Sequence, residues 1–217
     1  MKYKFPRISH CPWSENISNN DKIHLNMSVF EAQNIVATIK IDGENTNISK
    51  DYIHARSLEY PNHESRSWMK QYWNTIKDNI PEGYRISGEN VYAKHSIHYR
   101  HLKSYFYAFT IWNENNIALS WDETCNWAEL LDLTMVPTFY QGSFDRHKIH
   151  TSFDTFCKKS EDLVEGYVIR LADKINYDEI DKNRCFKSMC KWVRKDHVTT
   201  DDHWMNQTIT LNELEIR

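Results

Sequence analysis

A chain of 217 residues is long enough for one large domain with a sizeable hydrophobic core. Its formal net charge of −3 excludes a globally basic nucleic-acid coat, so a polyanion would have to bind a local basic patch. The chain has no apolar run of membrane-span length and no signal-peptide pattern, and its five cysteines form no Cys-x-x-Cys pair, which favours a reducing cytoplasm.

The first part of the chain predicts an irregular arm. Residues 2–20 contain Pro6, Pro12 and several Asn and Ser residues, which interrupt regular structure. Ser28 followed three residues later by Glu31 resembles a capping box. We therefore expect a short turn to open at Ser28, before the first strand.

Residues 35–42 predict a strand that carries a functional lysine. Its alternation places four apolar residues on one face: Ile35, Ala37, Ile39 and Ile41. Lys40 then projects from the other face, just before Gly43 lets the chain turn away. A lysine held in this way can lose its proton and act as a nucleophile. The alternative is an ordinary edge-strand lysine, which discourages pairing between sheets.

The next elements are predicted to be strands on either side of a helix. Residues 46–49 and 52–57 read as a strand pair, with Arg56 at its end. Between residues 65 and 80, aromatic and apolar side chains recur every four positions up to Pro81, which predicts a helix that packs this face into the core. Residues 84–91 are strand-like around Glu89.

Three closely spaced histidines, His95, His98 and His101, raise the question of a metal site. No carboxylate or cysteine completes a ligand set at the usual spacings. Contacts from this surface segment to phosphate or RNA are the preferred interpretation.

The most aromatic strand is predicted at residues 105–112. Tyr105, Tyr107 and Phe109 share one face, so one of these rings could stack on a base. Burial of both faces in the core is an equally good interpretation for any single ring.

The remaining elements alternate between helices and strands. Ser120 and Glu123 form a capping box that opens a helix through residue 131. Strands are predicted at 136–140, 165–170 and 186–194, and a short helix at 153–160, while residues 201–217 could form a closing strand or helix. Because the chain shows no linker and no internal repeat, residues 1–217 are predicted to form a single domain.

Charged residues beside glycines at strand ends suggest one common cleft. Lys40, Glu89, Glu165 and the pair Lys187 and Lys191 would converge there if the strands line it. A lysine nucleophile, two carboxylates for ribose and Mg²⁺, and two cations for phosphates suit attack on a nucleoside triphosphate. The lysine must lose its proton, and neighbouring cations and Mg²⁺ would favour the neutral amine.

These residues resemble the motifs of the covalent nucleotidyltransferases, which comprise RNA ligases, DNA ligases and mRNA capping enzymes. The matching stretches, in chain order, are Lys40-Ile41-Asp42-Gly43, Arg56, Ser87-Gly88-Glu89-Asn90, Phe106-Tyr107-Ala108-Phe109-Thr110-Ile111, Glu165-Gly166-Tyr167-Val168-Ile169 and Lys191-Trp192-Val193-Arg194. Three further stretches resemble bacterial and phage RNA ligases: His10-Cys11-Pro12-Trp13-Ser14, Tyr92-Ala93-Lys94-His95-Ser96-Ile97 and Val193-Arg194-Lys195-Asp196-His197-Val198. Six motifs in the family's order make the resemblance specific.

The resemblance implies an α+β nucleotidyltransferase fold, with largely antiparallel sheets that line a nucleotide cleft and flanking helices. It also implies an ATP-dependent RNA ligase that uses Mg²⁺ or Mn²⁺ and joins RNA 3′-hydroxyl and 5′-phosphate ends through lysyl-AMP. Lys40 would be the nucleophile, Phe109 would stack on adenine, Glu89 would hold the ribose and Glu165 would bind the metal. The remaining nucleotide contacts would be Ile39, Asn45, Arg56, Lys187 and Lys191.

The sequence departs from the family pattern at three positions. Ile39 stands where relatives often have an acidic residue, so a side-chain contact to the adenine amino group is missing. Thr110 replaces a frequent Asp, and Met189 replaces a frequent second lysine, which weakens the assignment of Lys187. The alternatives are a DNA ligase, a capping-type guanylyltransferase, or a catalytically silent nucleotide- or RNA-binding module.

RNA contact is expected from cations near the cleft, since no OB-fold or other accessory domain is evident. The candidates are Lys94, Arg100, Lys103, Arg194 and Lys195. A partner protein that delivers the RNA ends is a further expectation, and no membrane association is expected.

Overall fold

The computed structural model describes residues 1–15, 17–19, 21–24, 26–180, 185–195 and 209–216. The strands are β1 Arg7–His10, β2 Asn34–Lys40, β3 Glu44–Ile48, β4 Ile53–Ala55, β5 Arg85–Asn90, β6 Phe106–Trp112, β7 Ile117–Ala118, β8 Thr138–Ser143, β9 Gly166–Leu171, β10 Ile175–Asn176 and β11 Cys185–Val193. The helices are α1 Ser67–Ile76, α2 Trp121–Leu130 and α3 Arg146–Lys159, and short 3-10 helices span Met27–Phe30, Glu64–Arg66, Lys77–Asn79 and Tyr177–Glu179.

Two sheets form the framework. One has five strands in the order β1-β11-β9-β2-β8, and the other has six in the order β10-β7-β6-β5-β3-β4. Among the paired strands of the described residues only β1 and β11 run parallel; the other pairs are antiparallel. The predicted α+β class with largely antiparallel sheets is confirmed.

The strand that carries Lys40 lies inside its sheet. β2 pairs with β9 as far as Lys40 and with β8 as far as Thr38. Both of its faces are covered, since Ile35, Val36 and Ala37 are all fully buried. The interpretation of Lys40 as an edge-strand lysine is therefore wrong, and the expected apolar face is only one of two buried faces.

The helices follow local signals, with two corrections. The predicted helix over 65–80 is α1 with a 3-10 turn at each end, and α2 begins at the predicted capping box, in which Ser120 and Glu123 satisfy each other's backbone. α3 is longer than predicted because Asp145 caps it well before residue 153. The capping box predicted at Ser28 is wrong: Asn26 caps the 3-10 helix there.

The N-terminal arm joins the sheet instead of remaining irregular. β1 lies along β11 with His10 opposite Lys191, and His10 also bridges to Ile23. The prediction for residues 2–20 is therefore wrong at β1. This pairing adds the arm, and then residues 21–24, to one side of the five-stranded sheet.

The described part of the C-terminal tail packs on the loop after β5. Leu211 bridges to Ala93, and the buried Asn212 side chain accepts from the Tyr99 backbone and donates to the Val91 carbonyl. The described residues of the tail form isolated bridges only. The first part of the closing strand or helix predicted over 201–217, residues 201–208, lies outside the described residues. Within the described ranges no helix is long and apolar enough to cross a membrane.

Candidate active site

Most of the predicted nucleotide-binding residues line a cavity of about 330 Å³. Strands of both sheets contribute to its wall. The predicted residues that line it are Ile39, Lys40, Asn45, Arg56, Glu89, Phe109 and Lys191. These positions span more than 150 residues of sequence, so the fold brings together what the motif order predicted.

Lys40 forms an ion pair with Glu165 at this cavity. Its Nζ donates to both carboxylate oxygens, at 2.6 Å from Oε1 and 2.5 Å from Oε2. The Glu165 side chain is 5% exposed and that of Lys40 24% exposed. The two residues meet because Lys40 pairs with Gly166 in the β2–β9 ladder, and Glu165 directly precedes that glycine.

The carboxylates around Lys40 keep it charged. Burial alone would lower the pKa of Lys40, but Glu165 and Glu89 offset this effect and raise the pKa above its ordinary value. From the sequence we expected neighbouring cations to favour the neutral amine. In this structure the neighbouring carboxylates instead favour the protonated amine. The amine must therefore be released from its carboxylate before it can attack an electrophile.

The pKa values of Glu89 and Lys191 are both shifted in the direction that burial favours. Burial raises the pKa of the Glu89 carboxyl to about 8, against the lowering effect of Lys40. Burial and the charge of Lys40 lower the pKa of Lys191. Groups whose charge is costly to maintain lie together here, as expected where a charged ligand binds.

The residues after Lys40 anchor the turn. The Asp42 carboxylate accepts hydrogen bonds from the Ser96 and Ile97 backbones at 2.7 and 2.9 Å, and the Asp42 N–H donates to the Tyr99 hydroxyl. A side chain at Gly43 would meet the Asn90 carbonyl and the Val91 side chain. In Lys-x-Asp-Gly the acid thus ties a loop while the glycine permits close backbone approach.

The close pairing of β9 with β11 requires a glycine at position 166. A Cβ at this position would collide with the carbonyl of Trp192 on β11. β9 and β11 can therefore approach closely just after Glu165, which holds that carboxylate beneath Lys40.

One ring of the aromatic strand borders the cavity. Phe109 is half-buried and contacts Phe5 edge-on, with ring centroids 5.3 Å apart. Tyr107 is buried and its hydroxyl accepts from the Lys103 backbone, so it belongs to the core. Val136 and Val168 add apolar wall near Phe109. Such a surface can hold a flat base.

Sequence reasoning missed Arg170 as a site residue. It is 3% exposed and lines the cavity, and its Nη2 donates to the Leu119 carbonyl at 2.9 Å. Its Nη1 has no hydrogen-bond partner within the described residues, and burial lowers its pKa to about 10. An arginine at the end of an otherwise apolar strand was the available signal.

The arm was also missed as a part of the site. Phe5, Arg7, Asp21 and Lys22 line the cavity, and the Phe5 carbonyl accepts from Arg56 Nε at 3.3 Å. The only signal in the sequence was Arg7 close to Phe5. It was weak, because nearby prolines made this segment look irregular.

Several predicted residues lie elsewhere. Lys187 is exposed and does not line the cavity, whereas Met189 does. Of the RNA candidates, Lys94, Arg100, Lys103 and Lys195 are exposed, Arg194 is half-buried, and none lines the cavity. Residues 196–198 of the last RNA-ligase-like stretch lie outside the described residues.

The histidine segment holds acidic neighbours without forming a metal site. His98 lies 3.8 Å from Glu213, and His101 lies 3.4 Å from Asp162. In the part of the chain that the structure describes, no group of three or more His, Cys, Asp or Glu side chains could hold an ion.

A family model described as RNA ligase matches residues 33–193. A putative ATP-dependent DNA ligase from Aquifex aeolicus is similar in structure, with a TM-score of 0.57 and 14% identity over 89% of this chain and 50% of that chain. An archaeal ATP-dependent RNA ligase gives a TM-score of 0.54 and 12% identity over 88% and 48%. A mutant Naegleria gruberi RNA ligase with AMP and Mn gives 0.50 and 16% over 77% and 51%.

The likeness to these solved structures shows a shared fold. The chain spans about half the length of each of them. No curated protein sequence matches it significantly.

Proposed function

Because this chain belongs to the RNA ligase family, we propose that it is an ATP-dependent RNA ligase that joins 3′-hydroxyl and 5′-phosphate ends through lysyl-AMP. The observation that carries the proposal is the Lys40 amine, paired with a buried carboxylate at the wall of a cavity that also presents a half-buried aromatic ring. A silent binding module would not need such an amine. The three stretches that resemble bacterial and phage enzymes favour that branch of the family.

The reaction uses Lys40 twice, once as nucleophile and once as leaving group. The deprotonated Nζ attacks the α-phosphorus of ATP, so that an N–P bond forms, the bond to the bridging oxygen breaks and pyrophosphate leaves. An oxygen of the RNA 5′-phosphate then attacks the same phosphorus, and the N–P bond breaks. In the last step the 3′-hydroxyl attacks the RNA phosphate, and AMP leaves.

The cavity residues divide these tasks. Phe109 stacks on adenine, Ile39 offers only backbone groups to the base, and Glu89 holds the ribose. Asn45, Arg56 and Lys191 contact phosphate or ribose, because a donor or cation at each position faces the same cavity. Lys187 is a weaker candidate for a phosphate contact, since it is exposed outside the cavity.

The Glu165 carboxylate beside Lys40 fits a divalent cation. Mg²⁺ usually keeps several waters and takes one or two carboxylates plus substrate phosphates, and Glu165 would supply one carboxylate next to Lys40. A Mg²⁺ or Mn²⁺ ion held by Glu165 would supply charge stabilisation for the phosphoryl oxygens. A Glu165 carboxylate that holds such an ion would no longer favour the protonated amine of Lys40.

RNA ends are the proposed substrates and meet the cations outside the cavity. A partner protein that delivers these ends is part of the proposal. Residues 1–217 would act as one nucleotidyltransferase domain.

The deciding experiment is incubation with Mg²⁺ and ATP labelled at the α-phosphate, followed by a denaturing gel. Wild-type protein should retain a label that is labile to acid and stable to alkali, as a phosphoramidate is, and should then seal 5′-phosphorylated RNA. Lys40→Arg should abolish labelling because a guanidinium is not a usable nucleophile near neutral pH. The exposed Lys50→Arg is the matched control. Label retained in Lys40→Arg would place the nucleophile elsewhere.

A further inference from the structure

Two cations of the N-terminal arm border the cavity without a role in the proposed chemistry. Arg7 begins β1, and Lys22 lies in the segment that bridges to His10. Among the described residues no carboxylate lies within ion-pair distance of either side chain. Both therefore offer an uncompensated positive charge to whatever occupies this end of the cavity.

Strand order places the arm beyond Lys191, on the side of β11 away from β9. Lys191 pairs with Val168 of β9 on one side and with His10 of β1 on the other. Since neighbouring strands lie about 4.8 Å apart, β1 is one spacing from Lys191 and the Lys22 segment about 10 Å away. The arm therefore adds two cations to the cavity wall on this side of Lys191.

The arm is held against the other predicted phosphate contact. Arg56 Nε donates to the Phe5 carbonyl at 3.3 Å, two residues before Arg7. After burial, the charge of Arg7 is the next largest factor that lowers the pKa of Arg56. Cations that repel one another at a cavity wall favour the entry of an anion.

Asp21 is the one acidic residue of the arm that lines the cavity, and its carboxylate contacts other groups. Its carboxylate accepts hydrogen bonds from the Ser18 backbone and hydroxyl at 2.9 and 2.8 Å. It also lies 3.5 Å from His10. Asp21 therefore does not neutralise Arg7 or Lys22.

We propose that Arg7, assisted by Lys22, forms a phosphate subsite that binds the β- and γ-phosphates of the nucleotide as they leave as pyrophosphate. This inference rests on the proposed function, in which Lys40 attacks the α-phosphorus. The subsite does not take part in bond making: it orients the leaving group and stabilises the charge that develops when the bond to the bridging oxygen breaks. The same phosphate chemistry would suit the 5′-phosphate of an RNA end, and the test separates the two sources.

The first measurement is direct binding, which needs no catalysis. Pyrophosphate and AMP are titrated separately into the wild-type chain and into Arg7→Gln, the double variant with Lys22→Gln, and Lys4→Gln. Lys4 is an exposed cation of the same arm that does not line the cavity, so it controls for lost charge. We expect pyrophosphate to bind about tenfold more weakly to Arg7→Gln, the scale of one charge-assisted hydrogen bond, while AMP binding is unchanged.

The second measurement is discharge of preformed lysyl-AMP by pyrophosphate. The half-saturating pyrophosphate concentration should rise about tenfold in Arg7→Gln, while transfer of AMP to a 5′-phosphorylated oligonucleotide proceeds at the wild-type rate. Impaired transfer with normal pyrophosphate binding would overturn the assignment to the leaving group and give the subsite to the RNA end. If Arg7→Gln binds pyrophosphate as tightly as Lys4→Gln does, the subsite itself is rejected. Absence of lysyl-AMP in the wild type would instead reject the proposed function, and the binding result would stand independently.

Discussion

The Lys40 amine, at the end of β2, lies 2.6 and 2.5 Å from the two oxygens of Glu165, the residue just before β9. This contact holds the nucleophile in place and in its protonated form. Its removal should therefore affect both the rate and the pH dependence of lysine adenylylation.

Glu165→Gln should lower the rate of lysyl-AMP formation by about a hundredfold or more, because the variant loses both the metal ligand and the charge that orients Lys40. The carboxylate raises the pKa of Lys40, so its loss should move the limb along which the residual activity rises with pH to lower pH. Labelling rates across pH test this, with the exposed Glu129→Gln as control. A rising limb that stays fixed would separate Glu165 from the protonation of Lys40.

Base selection should be modest. Ile39 offers no side-chain acceptor to the adenine amino group, so we expect a preference for ATP over GTP well below the ~10⁴-fold that a buried hydrogen-bonding site can reach. Equal labelling by both nucleotides would favour the capping-type alternative.

Arg170 should moderate this preference. Arg170 lines the cavity, its Nη1 donor has no hydrogen-bond partner in the part of the chain that the structure describes, and arginine donors suit the O6 and N7 acceptors of guanine. Arg170→Met should therefore raise the ratio of ATP to GTP labelling by up to about tenfold. Competition between the two labelled nucleotides measures the ratio, and a fall would show that Arg170 serves adenine instead.

RNA sealing should depend on salt more steeply than lysyl-AMP formation. The exposed cations Lys103 and Lys195 lie outside the nucleotide cavity, and each phosphate contact contributes a log–log slope of about −0.7 for single strands or −0.9 for duplex. Charge reversal to Glu at either position should lower sealing and leave adenylylation intact, with Lys50→Glu as control. Equal loss of both steps would assign these residues to the nucleotide site or to the fold.

His10 should make the fold sensitive to acid. Burial and the charge of Lys191 lower the pKa of His10 from 6.5 to about 4, despite Asp21. Because the unfolded chain binds the proton more readily, this stabilisation is complete above pH 6.5 and is lost as the pH falls towards about 4, with a loss of about 2 kcal/mol near pH 5. Urea unfolding of the wild type and His10→Asn at several pH values tests this. Parallel pH profiles for the two proteins would contradict it.

Local signals were sufficient for much of the framework. The four-residue recurrence over 65–80 and the Ser120–Glu123 box predicted α1 and α2, since both patterns act within one or two turns. The order of the short motifs predicted that Lys40, Glu89 and Lys191 lie close together, whereas Lys187 does not line the cavity. The geometry of Lys40 and Glu165 could not be predicted in the same way, because the protonation of the amine depends on a distance between strands that lie far apart in sequence.

The arm was missed for a related reason. A strand of four residues between Pro6 and Pro12 has no local pattern, and it is stabilised only by its parallel partner near the other end of the chain. The register of β1 and β11 also shifts between Arg7 and Ser9, an irregularity that strict alternation of side chains along a strand does not predict.

The parallel pairing of β1 with β11 also constrains the order of events during synthesis. Arg7 and His10 leave the ribosome well before their partners Cys185 and Lys191, which follow much later in the sequence. Closing such a long loop costs entropy that grows with the logarithm of its length and slows folding relative to local contacts. During translation the wall that carries Arg7 therefore remains unformed until β11 emerges, and a nascent chain cannot assemble a complete nucleotide cavity before then.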